Sequence, residues 1–166
     1  TAFIANPGRD RVFSMSLSSN TPSDRGRASS WSTALDALAA DSFNNGDTPC
    51  LFTVCAGNAQ FNCFAPDDYP YPEYNQIQGV SDPAQAWNVV TVGAYTSKTT
   101  LTESGDHYPL ASRGGISPHT TTSLIWDRSN APIKPEVVFE GGNIGKSELD
   151  YRDDLYDLHL LTTHND

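Results

Sequence analysis

Asn58 is the side chain in this sequence best placed to do chemistry. It closes the stretch Leu51-Phe52-Thr53-Val54-Cys55-Ala56-Gly57-Asn58. A side-chain amide carries two N–H donors and one carbonyl acceptor. At the end of a strand it can donate a hydrogen bond into a cleft. Ala56 and Gly57 precede it, where side chains shrink and the backbone becomes permissive. The plainer alternative is that Gly57-Asn58 is only a turn, since both residues are common in turns.

Other chemistry-bearing residues form no motif. His107, His119, His159 and His164 are scattered, with no H-E-x-x-H. Asp67-Asp68 and Asp153-Asp154 lack EF-hand spacing and read as solvated acidic loops. G-x-S-x-G, the nucleophile elbow, does not occur. Cys50, Cys55 and Cys63 form no C-x-x-C pair and leave one cysteine over. Buried free thiols are the simple reading; a Cys55–Cys63 or Cys50–Cys63 bridge would need an oxidising compartment.

The elements that must position Asn58 follow from periodicity. Val12 to Ser18 alternates large apolar with small polar residues and predicts a strand. Ser30 caps a predicted helix from Trp31 to Phe43, with Trp31, Ala34, Leu35, Leu38 and Ala39 as its apolar stripe. Asn44-Asn45-Gly46 tolerates a left-handed backbone and closes it. Leu51–Val54 is an unbroken apolar run, predicted as a strand buried on both faces of a parallel sheet. Residues 59 to 79 are dense in Pro and aromatics, among them Phe61, Phe64, Tyr69, Pro70 and Pro72, and predict a long surface excursion without a helix. Ser81 to Trp87 predicts a short helical turn, Asn88 to Ala94 a third strand, and Glu136 to Phe139 a fourth. The stretch from Ser97 to Thr122 is polar and irregular. The core is expected over 12–144, with an acidic tail over 145–166. Strands flanking a helix predict an α/β domain with a mostly parallel sheet.

Composition narrows the partners. The 166 residues suffice for one domain with a real core. The formal net charge of −10 disfavours nucleic-acid backbones and anionic membranes. No apolar run approaches the roughly 18 residues of a membrane span. No signal peptide is visible, so the compartment stays open, and Thr1 at the start suggests a piece of a longer protein.

The order of these segments resembles the subtilisin-like serine peptidases, the subtilases. Met15-Ser16-Leu17-Ser18 is similar to the family strand that forms one wall of the substrate groove. Val54-Cys55-Ala56-Gly57-Asn58 resembles the A-A-G-N strand end that forms the other wall. Ser81-Asp82-Pro83-Ala84 through Val89-Val90-Thr91-Val92-Gly93-Ala94 resembles S-x-P-A…V-I-T-V-G-A. Leu110-Ala111-Ser112-Arg113-Gly114-Gly115 is similar to the F-S-S-x-G turn. Lys134-Pro135-Glu136-Val137-Val138 resembles K-P-D-(I/V)-V, with Phe139-Glu140-Gly141 in place of the usual A-P-G.

The resemblance implies a partial three-layer subtilisin-like core, with strands in the order Met15, Leu51, Val89, Val137. It implies that Asn58 donates to the oxyanion of acyl transfer. It also implies that Ser16, Leu17, Ser18, Cys55, Ala56 and Gly57 bind an extended peptide by strand addition. Subtilases often carry structural calcium in loops, but no calcium motif stands in this sequence and no cofactor is expected. The family's G-T-S, H-G-T and D-(S/T)-G motifs are all absent. The expectation is therefore an internal segment of a serine endopeptidase, inactive alone because nucleophile, base and orienter are all needed. A peptide- or protein-binding module without catalysis is the rival. The bared edge at the Met15 strand is expected to promote self-association.

Overall fold

The computed structural model describes residues 8–19, 26–60, 70–102 and 105–161. Four parallel strands lie side by side: β1 (Val12–Met15), β2 (Leu51–Cys55), β3 (Val90–Tyr95) and β5 (Val137–Glu140). Their spatial order follows chain order, as the resemblance implied. Met15 stands opposite Val54, Cys55 opposite Val92, and Val92 opposite Val137. A smaller antiparallel sheet joins β4 (Tyr108–Pro109), β6 (Gly145–Lys146) and β7 (Tyr151–Arg152).

The crossover between β1 and β2 is helix α1 (Ser30–Ala39). Its cap is Ser29, one residue before the expected Ser30. Ser29 Oγ accepts from Ser32 N–H at 2.9 Å, and Ser32 Oγ accepts from Ser29 N–H at 2.8 Å. This satisfies two donors that a helix start otherwise leaves open. The helix stops at Ala39, earlier than Phe43. Asp41 turns left-handed at φ 49°, followed by Asn45 at 60° and Gly46 at 82°. The Asp41 carboxylate accepts from Thr48 N–H, Thr48 Oγ and Asn44 Nδ2, offering the chain an alternative to another helical turn.

The helix packs on the sheet through Ser32, Leu35 and Ala39. Trp31, Ala34 and Leu38 of the expected stripe are exposed instead. The principal core joins Leu35 and Ala39 to Phe52, Val54, Ala56, Val80, Ala84, Val89 and Trp126. Phe13 stacks on Phe52 with ring centroids 4.9 Å apart. This core lies on one face only. Phe52 and Val54 are buried, but Leu51 is 43% exposed and Thr53 and Cys55 are partly so. The expectation that β2 is buried on both faces is therefore corrected: among the described residues no helix covers the face that carries Leu51, Val137 and Phe139.

One further expectation changes. Helix α2 (Glu73–Ile77) forms inside the stretch expected to hold none. Its prolines, Pro70 and Pro72, stand before its first turn, where a missing N–H costs nothing. Residues 61–69, with Phe61, Cys63, Phe64, Asp67, Asp68 and Tyr69, lie outside the described residues, as does His164. Beyond residue 144 the chain stays packed: Tyr151, Leu155 and Leu158 are buried, and a 3-10 turn spans Tyr156–Leu158. No helix among the described residues is long and apolar enough to cross a membrane.

Candidate functional site

Parallel strands send their carboxyl ends to one edge, and open α/β sheets bind ligands there. Ser16–Ser19 leave β1 and Ala56–Asn58 leave β2 at that edge, side by side. Cys55 Sγ lies 3.7 Å from the Leu17 carbonyl oxygen. The Ser19 amide donates to Asp82 O at 2.8 Å, and the Ser81 amide donates to Ala56 O at 2.9 Å. Ser81-Asp82 thus ties the two emerging segments together. Asp82 also accepts from Ser29 Oγ at 2.8 Å, fixing the start of α1 to the same corner. Ser16 and Leu17 are exposed, Ser18 and Cys55 are half-buried, and Ala56 and Gly57 are buried.

Gly57 sits at φ +98°, and a Cβ there would run into Ser81 Oγ and Cβ. Only glycine suits that backbone and that contact. The permissive backbone expected at Gly57 thus has a packing reason as well.

Asn58 is exposed, and its amide makes no hydrogen bond to another described residue. The other amides nearby are consumed. Asn143 is fully buried: its Nδ2 donates to Lys98 O at 2.8 Å and Ala111 O at 2.9 Å, and its Oδ1 accepts from Ala111 and Ile144. Asn75, also fully buried, spends its donors on carbonyls of the 117–120 turn.

That turn is the part of the site that the sequence did not reveal. Thr120 pairs with Asn58 in an isolated antiparallel bridge. The Ala59 amide donates to His119 O at 2.8 Å, and Thr121 Oγ donates to Ala56 O at 2.8 Å. On the far side Gln60 N–H donates to Gln78 Oε1 at 2.7 Å, and Gln78 Nε2 returns a bond to Gln60 O at 3.2 Å. Only the small, hydroxyl-rich run Ser117–Ser123 hints at this in the sequence. Leu110–Gly115 forms a separate turn against Thr96, where Gly114 N–H donates to Thr96 O at 2.7 Å.

The segment that departs from A-P-G has its own anchoring. Ser97 N–H and Oγ donate to Glu140 at 2.6 and 2.5 Å, and Gly142 N–H donates at 3.0 Å. Burial pushes the Glu140 carboxyl up, but these donors outweigh it and hold it below its ordinary value. Behind Asn58, burial lowers His119 below the usual histidine range; a hydrogen bond to the Asn143 backbone opposes this and neighbouring His159 reinforces it.

A serine, a histidine and an aspartate do meet elsewhere, in a cleft of about 920 Å³ lined by Asp106, His107, Tyr108, Ser147 and Asp150. His107 Nε2 and Ser147 Oγ both bond Asp150 Oδ1, at 2.8 and 2.5 Å. The histidine therefore stands on the aspartate rather than on the hydroxyl. Ser147 Oγ instead accepts from the Leu149 and Asp150 amides. This closes a turn and activates no nucleophile. Cys50 and Cys55 are free thiols. Among the described residues no group of three His, Cys, Asp or Glu side chains could hold a metal ion.

Four parallel strands in chain order, joined by a crossover helix and carrying an exposed amide just past the carboxyl end of β2, suit a subtilisin-like α/β core. The family model described as the subtilase family matches residues 2–166, so the chain belongs to the subtilases. No curated protein sequence matches it.

Proposed function

We propose that the chain supplies the substrate groove and the oxyanion donor of a serine endopeptidase. Ser16–Ser18 form one wall and Cys55–Gly57 the other, and an extended peptide adds between them through main-chain hydrogen bonds. Asn58 donates its amide to the scissile carbonyl oxygen as negative charge develops there. One observation carries this reading. Among Asn58, Asn75 and Asn143, Asn58 alone keeps an amide unspent on a described residue, and it does so just past the carboxyl end of β2.

Residues 1–166 contain none of the three triad motifs, and the Ser147-His107-Asp150 group is wired through the aspartate. The nucleophile, base and orienting carboxylate would therefore come from sequence flanking this segment. Alone, the chain is expected to show no peptide hydrolysis above background.

The test has two steps. The coding sequence on either side is read for D-(S/T)-G and H-G-T upstream and G-T-S downstream. The protein carrying them is then assayed on fluorogenic peptides, with and without Asn58→Ala. Absence of those motifs from the flanks would leave a binding module in place of a peptidase.

A further inference from the structure

We propose that Asn75 is a positioning residue for Asn58, acting through the 117–120 turn. The proposal rests on the oxyanion reading of Asn58 for its catalytic meaning, though not for its geometry.

Asn75 has no exposed surface. A buried amide must find partners, because a donor left without one keeps its full desolvation cost. Its Nδ2 donates to Pro118 O and Thr120 O, both at 2.8 Å, with Ser117 O further off at 3.4 Å. Two hydrogens meet two close acceptors two residues apart. Pro118 and His119 form a turn closed by Thr120 N–H donating to Ser117 O at 3.2 Å. Asn75 holds the carbonyls on either side of His119, and the His119 carbonyl accepts from the Ala59 amide at 2.8 Å. Thr120 then lies across from Asn58. The turn is pinned from behind as well: Ala94 N–H donates to Thr120 Oγ at 3.1 Å, and Ser117 N–H donates to Ala94 O at 3.0 Å.

The residue type fits the task. Aspartate would set a carboxylate against two carbonyl oxygens. Alanine would remove the hydrogens that Asn75 gives to both carbonyls. Glutamine would add a methylene to a fully packed site. An oxyanion donor works because it is aimed before the charge appears, so slack in its backbone weakens it without altering peptide binding along the groove.

Amide hydrogen exchange on the 166-residue chain tests the coupling. With Asn75→Ser, exchange at Ala59 is expected to rise at least tenfold while the amides of β1 and β2 change less than twofold. An unchanged Ala59 rate overturns the proposal. So does an equal rise at every amide, which would mark Asn75 as a general stabiliser only. The unsubstituted chain gives a reading that does not depend on the variant folding. There the Asn75 side-chain amide and the Ala59 amide should exchange through one opening, with protection agreeing within about threefold; unrelated protection overturns the proposal.

In the triad-bearing protein, Asn75→Ser should lower kcat with KM unchanged, and should do little once Asn58 is alanine. Equal losses in both backgrounds would overturn action through Asn58. If Asn58→Ala itself leaves kcat unchanged, the oxyanion reading fails while the exchange result still judges the coupling.

Discussion

Lys134 Nζ is wholly buried and lies 2.5 Å from Glu136 Oε1, while donating to Val89 O at 2.8 Å. Glu136 in turn accepts from the Thr91 amide at 2.7 Å, and its own amide donates to Thr91 O. Burial pulls the Lys134 ammonium below its ordinary range, and Glu136 partly restores it. The K-P-E segment therefore clips β5 to the start of β3. Glu136→Gln strands a buried cation. We expect a loss of about 1–3 kcal/mol, less than the 3–5 of a fully buried pair because the Glu136 side chain is 36% exposed. Replacing both residues with apolar ones should cost less than the single change. Urea unfolding of the native chain and the two variants measures this.

Gly57→Ala places a side chain where φ is +98° and where Ser81 already stands. The strained backbone alone costs about 1–3 kcal/mol. Ser81→Gly should recover the steric part and leave the backbone part. A melting temperature unaffected by Gly57→Ala would reject this account of the corner.

Asn58→Ala in the triad-bearing peptidase should lower kcat by about 10²–10³, the established loss for a single oxyanion-hole donor in subtilisin itself. KM should move little, because the bond strengthens only as charge develops. A rise in KM with kcat intact would instead make Asn58 a ground-state contact.

His119 should make the fold sensitive to mild acid. Its folded pKa is lowered from 6.5, so between the two values the unfolded chain binds a proton that the folded chain does not. This contribution is complete above about pH 6.5 and is lost as pH falls toward the folded value. The groups facing His119 include His159, whose charge would add repulsion, and Asp153, which works against the shift. The lowered carboxylates start from ordinary values of 4.5 and 3.8, so they act further down the scale. Melting temperatures between pH 7.5 and 5.5 should fall for the native sequence and stay flatter for His119→Phe.

Self-association should follow from the open face and edge. Val12 is 67% exposed on β1, which pairs only with β2 among the described residues, and Phe139 is 65% exposed on β5. Unpaired strand edges recruit further strands. Light scattering at rising concentration should show growth in mass, and Val12→Lys should reduce it. A strictly monomeric species at high concentration would reject the expectation.

The strands and the Gly57-Asn58 strand end were legible in the residues alone, because apolar period and small-residue stops are local signals; the strand order came from the resemblance to the subtilases. The first helix was legible too, but not its true inner face. Ser32, Leu35 and Ala39 face the core while Trp31 and Leu38 do not, since several stripes satisfy a 3.6-residue period. Helix α2 hid behind its prolines. What only the tertiary structure decided is the brace beneath Asn58. Its bonds run through main-chain groups of His119 and Thr120, which every residue possesses, and they join positions about sixty residues apart. Sequence writes the side chain that would meet an oxyanion; the fold alone decides which distant carbonyls hold it still.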